Sequence, residues 1–415
     1  MQKKYKIAII GLGYVGLPLA LSFSKIYDVI GFDIKEDRID SLNNGIDTNT
    51  GNNIINNNIN FTSSENDIAS ANIFILTVPT PITASNEPDL TSLELASAMV
   101  AKYISNGDIV IYESTVYPGV TEDICVPILE KVSALKYNTD FFCGYSPERI
   151  SPGDDNFNIE NVIKVTSGSN SVIAQEIDDL YKKIIPAGTY KAESIKVAEA
   201  AKITENIQRD VNIALMNELA VIYDKMNISM SKVIKASSTK SNFIKFKPGL
   251  VGGHCIGVDP YYLSYQSKNI GLDAELILTS RKINNSISDY IARKTKILLL
   301  EYSKSVKKAK VLMLGYTFKE NCSDIRNTRV QYIINKLIEM EVEVSVYDPY
   351  LLKQKENINL INNPFNSDEK YDAFIAAVSH DKFKNYTEED FISISNGKLV
   401  LLDVKNMYSY STWKF

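Results

Sequence analysis

The chain has 415 residues, 45% of them hydrophobic and 23% charged, with a formal net charge of −5 at pH 7. That balance describes a globular protein of two or three domains, and its acidic sign argues against nucleic-acid or membrane-surface binding. No apolar run approaches the roughly 18 residues of a spanning helix, and the scattered Cys125, Cys143, Cys255 and Cys322 form no Cys-x-x-Cys pair, so a reducing cytoplasm with neither metal site nor disulfide framework is expected.

Met1-Gln-Lys-Lys-Tyr5 enters a strand directly, so no leader peptide is expected. Lys6 to Ile10 is the short apolar, β-branched run of a buried parallel strand. It leads into Gly11-Leu-Gly13-Tyr14-Val15-Gly16, where helical spacing begins. In this strand–turn–helix setting Gly11 makes the tight turn, Gly13 admits a pyrophosphate, and Gly16 lets helix and strand pack. The helix N-terminus offers free N–H groups to the phosphates. A second strand, Val29 to Asp33, ends in a carboxylate placed for the adenosine ribose hydroxyls, which favours NAD over NADP. Arg38 pulls the other way, because a nearby Arg can accept a 2′-phosphate. The Asn-rich stretch Asn43 to Asn60 reads as a surface loop with no assigned function.

Three further strands are expected over Ile73–Val78, Ile109–Tyr112 and Phe141–Gly144. Each ends in a polar, turn-rich segment: Pro79-Thr80-Pro81, Glu113-Ser114-Thr115 and Ser146-Pro147-Glu148-Arg149. Taken singly these are capped turns. In succession, at the carboxyl ends of strands in an open α/β sheet, they suggest one cleft.

Ala192 to about Asn227 contains no Pro or Gly and reads as one long helix of roughly 50 Å. Lys202, Asn206 and Arg209 recur at i, i+4 and i+7 and so share a face, which periodicity alone would make a solvated one. The helix carries enough apolar surface to suggest core or homodimer packing. A second long helix is expected from Leu276 to about Tyr302. A new α/β unit then begins at Lys310–Gly315. It runs through a helix over Asn327–Met340 and strands over Val342–Tyr347, Asp372–Val378 and Leu399–Leu402. The segment Tyr316 to Arg326, rich in cations and donors, suits a second phosphorylated ligand. His380 reads as structural, and the last dozen residues as a loosely held tail. The fold expected is α/β: two Rossmann-like doubly wound domains joined by a long central helix, with boundaries 1–191, 192–302 and 303–415.

The densest chemical signal is Lys247-Pro-Gly249-Leu-Val-Gly252-Gly253-His254-Cys255-Ile-Gly-Val-Asp259. Its glycines let the backbone lie close to a ligand, which puts the Cys255 thiol within reach of a substrate carbon. An isolated Cys is usually a packing residue; the rest of the chain argues otherwise here.

Gly11-Leu-Gly-Tyr-Val-Gly-Leu-Pro18, Val78-Pro-Thr-Pro81, Glu113-Ser-Thr115, Ser146-Pro-Glu-Arg149, Lys202 with Asn206, Gly252 to Asp259 and Gly315-Tyr-Thr-Phe-Lys319 occur in this order. Together they resemble the nucleotide-sugar 6-dehydrogenase family of UDP-glucose, GDP-mannose and UDP-N-acetylhexosamine dehydrogenases, over roughly residues 5 to 405. The wording of Thr204–Glu218 and Gly253–Tyr262 is similar to the N-acetyl branch. It is nearest to the UDP-N-acetylglucosamine 6-dehydrogenases of surface-polysaccharide synthesis, the Vi-antigen type among them.

The resemblance implies NAD-dependent, four-electron oxidation of the C6 hydroxyl of a UDP-N-acetylhexosamine to a carboxylate. An aldehyde forms first; the Cys255 thiolate adds to it as a thiohemiacetal, a second oxidation gives a thioester, and water cleaves it. Lys202, beside Asn206 and Asp259, would stabilise the developing oxyanion. Thr115 and Glu148 would position water, with Glu148 as general base. The cofactor side would comprise Gly11, Gly13, Tyr14, Val15, Gly16, Asp33, Arg38, Thr80, Pro81, Thr115 and Arg326. Glu148, Arg149, Lys202, Asn206, Arg209, Phe243, Lys245, Gly249, Gly252, His254 and Lys319 would face the sugar nucleotide. His254 either tunes the thiolate or shapes an acetamido pocket. Pro152 stands where glucose-acting relatives carry a second carboxylate, so any role of that group must fall elsewhere.

Overall fold

The computed structural model describes residues 5–54, 58–149, 159–253, 256–302, 305–351 and 357–415. The expectations placed on Pro152, His254 and Cys255 lie outside the described residues. The chain forms two compact units: residues 1–205 with 261–273, and residues 206–260 with 274–415.

The first unit is built on a six-stranded sheet of β1 (Lys6–Ile10), β2 (Asp28–Phe32), β3 (Ile59–Thr62), β4 (Ile73–Leu76), β5 (Asp108–Tyr112) and β6 (Phe141–Tyr145). The spatial order is β3-β2-β1-β4-β5-β6 and every pairing is parallel. A parallel sheet is covered on both faces, which is why its strands are near-continuous apolar runs. Ile7, Ile9, Ile75 and Ile111 are at most 1% exposed. Each such side chain contributes roughly 1.5–3 kcal/mol by leaving water. The order reverses between β1 and β4, and ligands of such sheets bind beyond the strand ends at that point. A short parallel pair, β7 (Lys164–Thr166) with β8 (Thr189–Lys191), completes this unit.

The second unit repeats the plan. Its strands β9 (Lys310–Leu314), β10 (Glu343–Tyr347), β11 (Asn359–Leu360), β12 (Ala373–Ala376), β13 (Leu401–Asp403) and β14 (Trp413–Lys414) lie in the order β11-β10-β9-β12-β13-β14, again all parallel. The repetition reaches the turns. Gly11 after β1 has φ +95° and donates to the Phe32 carbonyl at 2.8 Å; Gly315 after β9 has φ +90° and donates to the Tyr347 carbonyl at 2.8 Å. Both turns need the left-handed backbone that glycine supplies.

Two helices dominate the middle of the sequence, Ile195–Lys225 and Glu275–Tyr302. The first is 31 residues long, about 46 Å at 1.5 Å per residue. Leu215 and Ile222, at i and i+7 along it, are 49% and 46% exposed, and Met226 just past its end is 58% exposed. Among the described residues no helix is long and apolar enough to cross a membrane.

Two expectations need correction. The C-terminal dozen is not a loose tail: Trp413 and Lys414 extend the second sheet, and Tyr408, Trp413 and Phe415 are buried. The Trp413 indole N–H donates to Asp224 Oδ1 at 2.7 Å, and the Trp413 and Phe415 rings stand 5.8 Å apart. Aromatic burial outweighs the turn-like Tyr/Ser composition that suggested disorder. The Asn-rich stretch is not featureless either. It holds buried Asp47, whose carboxylate accepts from Arg38 at 2.7 Å, Thr50 Oγ1 at 2.6 Å and the Asn49 amide at 3.0 Å, and it ends in β3.

Candidate active site

In the first unit the glycine turn has the geometry of a dinucleotide cradle. A Cβ on Gly16 would lie 1.9 Å from the Gly11 carbonyl oxygen and 2.5 Å from Thr77 Oγ1, so only glycine lets this helix start so close to β1. A Cβ on Gly13 would meet nothing within 4 Å, which leaves backbone open to an approaching phosphate. Asp33, half-buried at the end of β2, accepts from the Leu12 amide at 2.9 Å and the Lys35 amide at 3.0 Å. Its carboxylate is thereby fixed at the rim of the turn. Tyr14 donates to the Asn49 carbonyl at 3.3 Å, and Val15 precedes the helix. These features fit NAD.

Arg38 stands apart from its expected role. It is 8% exposed; its Nε donates to the Leu12 carbonyl at 3.0 Å, and its Nη1 to Asp47 at 2.7 Å and Thr48 Oγ1 at 3.1 Å. This Arg braces the glycine turn from beneath. The Asp47 carboxylate that holds it there sits in the stretch to which the sequence reading assigned nothing.

The strand-end segments are laced together. Thr80 Oγ1 donates to the Thr115 carbonyl at 2.7 Å, and Ser114 Oγ to the Val78 carbonyl at 2.6 Å. Tyr262, fully buried, donates to the Thr80 and Pro81 carbonyls at 2.8 and 3.1 Å. Beyond β5 and β6 lies an ionic cluster. Lys164 Nζ donates to Glu113 Oε2 at 2.6 Å and to Glu148 Oε2 at 3.3 Å, and the Tyr181 hydroxyl donates to Glu113 Oε1. Lys202 Nζ donates to the Glu148 carbonyl. Arg149 pairs with Glu205 and donates to the Ile163 carbonyl at 3.0 Å. Glu148, Arg149 and Lys202 are therefore drawn into one neighbourhood of this unit, and Thr115 follows Glu113 of the same cluster by two residues.

Glu199, one turn before Lys202, is fully buried. Its carboxylate accepts from the Gly119 amide at 2.6 Å and the Thr121 amide at 3.0 Å, holding the loop that follows Thr115. Burial pushes its pKa up to about 7, against the pull of those donors. An acid raised on folding stabilises the fold below its ordinary pKa near 4.5, and that stability is lost as pH rises to about 7. The stake is on the order of 3 kcal/mol. Glu199→Gln should flatten the decline in melting temperature between pH 5 and 7.5. Parallel melting curves for the two proteins would refute the assignment.

In the second unit Asn206 Nδ2 donates to Asp259 Oδ2 at 2.5 Å, and both residues are buried. The face of the long helix is not the one expected. Its buried polar residues are Glu199, Lys202, Asn206, Asp210 and Asn217, whereas Arg209 is exposed. At 100° per residue Arg209 sits about 70° around the helix from the mean of that set. Arg281 Nη1 donates to Asp210 Oδ1 at 2.5 Å, and Asn284 Nδ2 to the same oxygen at 2.7 Å. Asn217 donates to Asn284 Oδ1 at 2.8 Å, and it clamps Gly249 by donating to its carbonyl at 3.0 Å and accepting from its amide at 2.7 Å.

The glycine loop lies against the end of β9. A Cβ on Gly253 would come 2.8 Å from the Phe318 ring, and one on Gly252 would come 2.7 Å from the Asn327 carbonyl oxygen. Asn327 donates to the Gly253 carbonyl at 3.3 Å. Lys319 is half-buried with its ammonium over Phe318, 5.7 Å from the ring centre. Arg326 is exposed and bound to Asp324, and Lys245 is exposed beside half-buried Phe243. His380 is a buried structural residue. Its ring bonds Asp348 at 3.1 Å and Thr317 Oγ1 at 3.2 Å and accepts from the Asn321 amide at 2.9 Å.

Sequence profiles of one family cover both units: the UDP-glucose/GDP-mannose dehydrogenase NAD binding domain over residues 5–185, its central domain over 196–286 and its UDP binding domain over 312–410. The chain belongs to the UDP-glucose/GDP-mannose dehydrogenase family. This dehydrogenase is 48% identical over 412 residues to UDP-N-acetyl-D-glucosamine 6-dehydrogenase of Pseudomonas aeruginosa, covering 97% of each chain. It is 48% identical over 408 residues to the enzyme of the same name from Salmonella typhi, covering 96% of each. The solved UDP-D-ManNAc dehydrogenase of Pyrococcus horikoshii superposes with a TM-score of 0.87 at 29% identity, over 99% of this chain and 98% of that one. The dehydrogenase is thus an NAD-dependent oxidoreductase, as its first unit's glycine turn and Asp33 suggest.

Proposed function

We propose that this dehydrogenase oxidises the C6 hydroxyl of UDP-N-acetylglucosamine to the carboxylate in two successive two-electron steps. The observation that carries the choice of sugar is the 48% identity to two UDP-N-acetyl-D-glucosamine 6-dehydrogenases, against 29% to the solved mannosamine enzyme. Bound NAD⁺ would accept the electrons at each oxidation. The chain's own groups do the remainder. Gly11, Gly13 and Gly16 admit the pyrophosphate, Asp33 takes the ribose hydroxyls, and Thr80, Pro81 and Thr115 shape the cofactor side.

Cys255 is assigned as the nucleophile that holds the carbon between the two oxidations, because a thioester is reached only through a thiohemiacetal. Lys202 carries the ammonium for the developing oxyanion, with Asn206 and Asp259 held together by their 2.5 Å bond. Glu148 is assigned as the base that takes a proton from the hydrolytic water. Lys319, Arg149 and the Gly249–Gly253 loop are assigned to the sugar nucleotide. Arg209 and Lys245 have exposed side chains, and Arg326 is paired with Asp324.

The test is NADH production with UDP-GlcNAc, UDP-GalNAc, UDP-ManNAc, UDP-glucose and GDP-mannose. UDP-GlcNAc should give the highest kcat/KM and two NADH per uronic acid, from an enzyme that sediments as a homodimer. UDP-glucose oxidised as efficiently as the N-acetylhexosamines would overturn the branch assignment. One NADH per substrate would overturn the four-electron chemistry.

A further inference from the structure

Lys164 belongs to no expected motif, yet it is 4% exposed and sits between two carboxylates. We propose that Lys164, anchored by Glu113 and Tyr181, is the positioning residue that holds the Glu148 carboxylate aimed for attack on the thioester. This rests on the reading of Glu148 as the water-activating base.

The geometry is specific. Lys164 opens β7, so its backbone is fixed by the pairing with β8. Its ammonium reaches Glu113 at 2.6 Å and Glu148 at 3.3 Å, and lies 5.5 Å from the centre of the Tyr181 ring. The Glu113 side chain is 0% exposed and that of Glu148 is 13% exposed, so the inner carboxylate is sealed while the outer one touches solvent. A buried cation is tolerated only with such partners. Burial and the Glu113 charge push the Tyr181 phenol well up, which keeps it a donor. Glu113 is pushed up by burial and pulled back by Lys164. Lys202 also faces Glu148, donating to its backbone carbonyl, as does the Arg149 amide, which donates to Oε1 at 2.5 Å, with Arg149 itself paired to Glu205. Lys164 brings an ammonium to the Glu148 carboxylate, and Glu113, itself held by the Tyr181 hydroxyl, keeps that ammonium in place.

The step served is a hydrolysis. Water oxygen bonds to the thioester carbon as one water proton passes to Glu148, and the carbon–sulfur bond then breaks to release the Cys255 thiolate and the carboxylic acid. Only an ionised Glu148 can take that proton. A neighbouring cation lowers a carboxyl's pKa and a neighbouring anion raises it. The acid limb of the hydrolysis should therefore move in opposite directions when the two buried partners are changed.

The experiment measures pH profiles from 5 to 9 for kcat, and for the decay of the acyl-enzyme seen by rapid-quench intact mass, with UDP-GlcNAc. Lys164→Met should raise the acid limb by about one to two pH units. Glu113→Gln should lower it. The double variant Glu113→Gln/Lys164→Met removes both charges, keeps the volume, and should raise the limb by less than Lys164→Met alone. It also serves if the single Lys164 variant fails to fold. KM for the sugar nucleotide should stay within about threefold throughout, since neither residue is assigned to it. A structural role alone would lower activity without shifts of opposite sign, so profiles that keep the wild-type limb in the folded variants overturn the inference. Glu148→Gln separates the two levels. If it hydrolyses the acyl-enzyme at the wild-type rate, the base reading itself is wrong; if it is slow while the limb stays put in the Lys164 and Glu113 variants, only the positioning inference fails.

Discussion

Cys255→Ala should lower release of the uronic acid by roughly three or more orders of magnitude, the scale of losing a covalent nucleophile. The first oxidation needs an oriented alcohol and a base, so it should suffer less. NADH per sugar nucleotide should fall from two towards one, with free aldehyde trapped by hydroxylamine. Binding of UDP-GlcNAc should change little, because the backbone leading towards position 255 is held by other groups. Asn327 holds the Gly253 carbonyl, and Asn217 holds both polar atoms of Gly249. Cys255→Ser sharpens the test. A hydroxyl can still add to the aldehyde, but the resulting ester hydrolyses far more slowly than a thioester. A Cys255→Ala enzyme that releases uronic acid at near wild-type rate would reduce the thiol to a packing residue and leave the glycine loop a binding element only.

The fold was legible because parallel strands announce themselves. Ile73–Leu76, Ala373–Ala376 and their neighbours are apolar on both faces, bounded by turn residues and separated by helical spacing. What escaped was short or aromatic. The two-residue β11 and β14 carry too little pattern, and the buried Tyr408, Trp413 and Phe415 look like a polar tail beside Ser409 and Ser411. Glycine geometry was readable in advance, since Gly16 can have no side chain where a Cβ would overlap the Gly11 carbonyl.

Of the candidate site, the sequence motifs single out Thr115, Glu148, Lys202, Asn206 and Asp259 as candidates; they do not single out the side chains that hold them. Lys164 lies in the plain strand Lys-Val-Thr, and Arg281, Asn284 and Asn217 lie in helices whose polar residues look solvated. A signal did exist. Glu199, Lys202, Asn206, Asp210 and Asn217 follow spacings of three, four, four and seven, a polar stripe on the buried side of the long helix. Choosing i+7 over i+8 after Lys202 pointed to Arg209 in place of Asp210. Periodicity identifies a face but does not say whether that face meets water or a partner with matching hydrogen bonds.

Asp210→Leu should destabilise the second unit by about 3–5 kcal/mol, the usual cost of stranding a buried ion. Asp210 and Arg281 have side chains 1% and 4% exposed and meet at 2.5 Å. Burial pushes the Asp210 carboxyl up, and Arg281 and Asn284 pull it back down, so the pair is maintained by mutual charge and not by solvent. For a unit of this size the loss corresponds to a fall in melting temperature on the order of 10 °C. Arg281→Met should cost a similar amount, since it strands the carboxylate. The double variant Asp210→Leu/Arg281→Met should be more stable than either single one, because removing both charges removes both desolvation terms. Function need not return with stability. Asp210 Oδ1 also fixes Asn284, which receives the Asn217 amide that clamps Gly249 at the start of the glycine loop. The double variant should therefore fold well and still turn over UDP-GlcNAc slowly. Additive losses in a denaturant-melt cycle would show that the two charges do not depend on each other. Full activity in the double variant would show that the loop is held without this network.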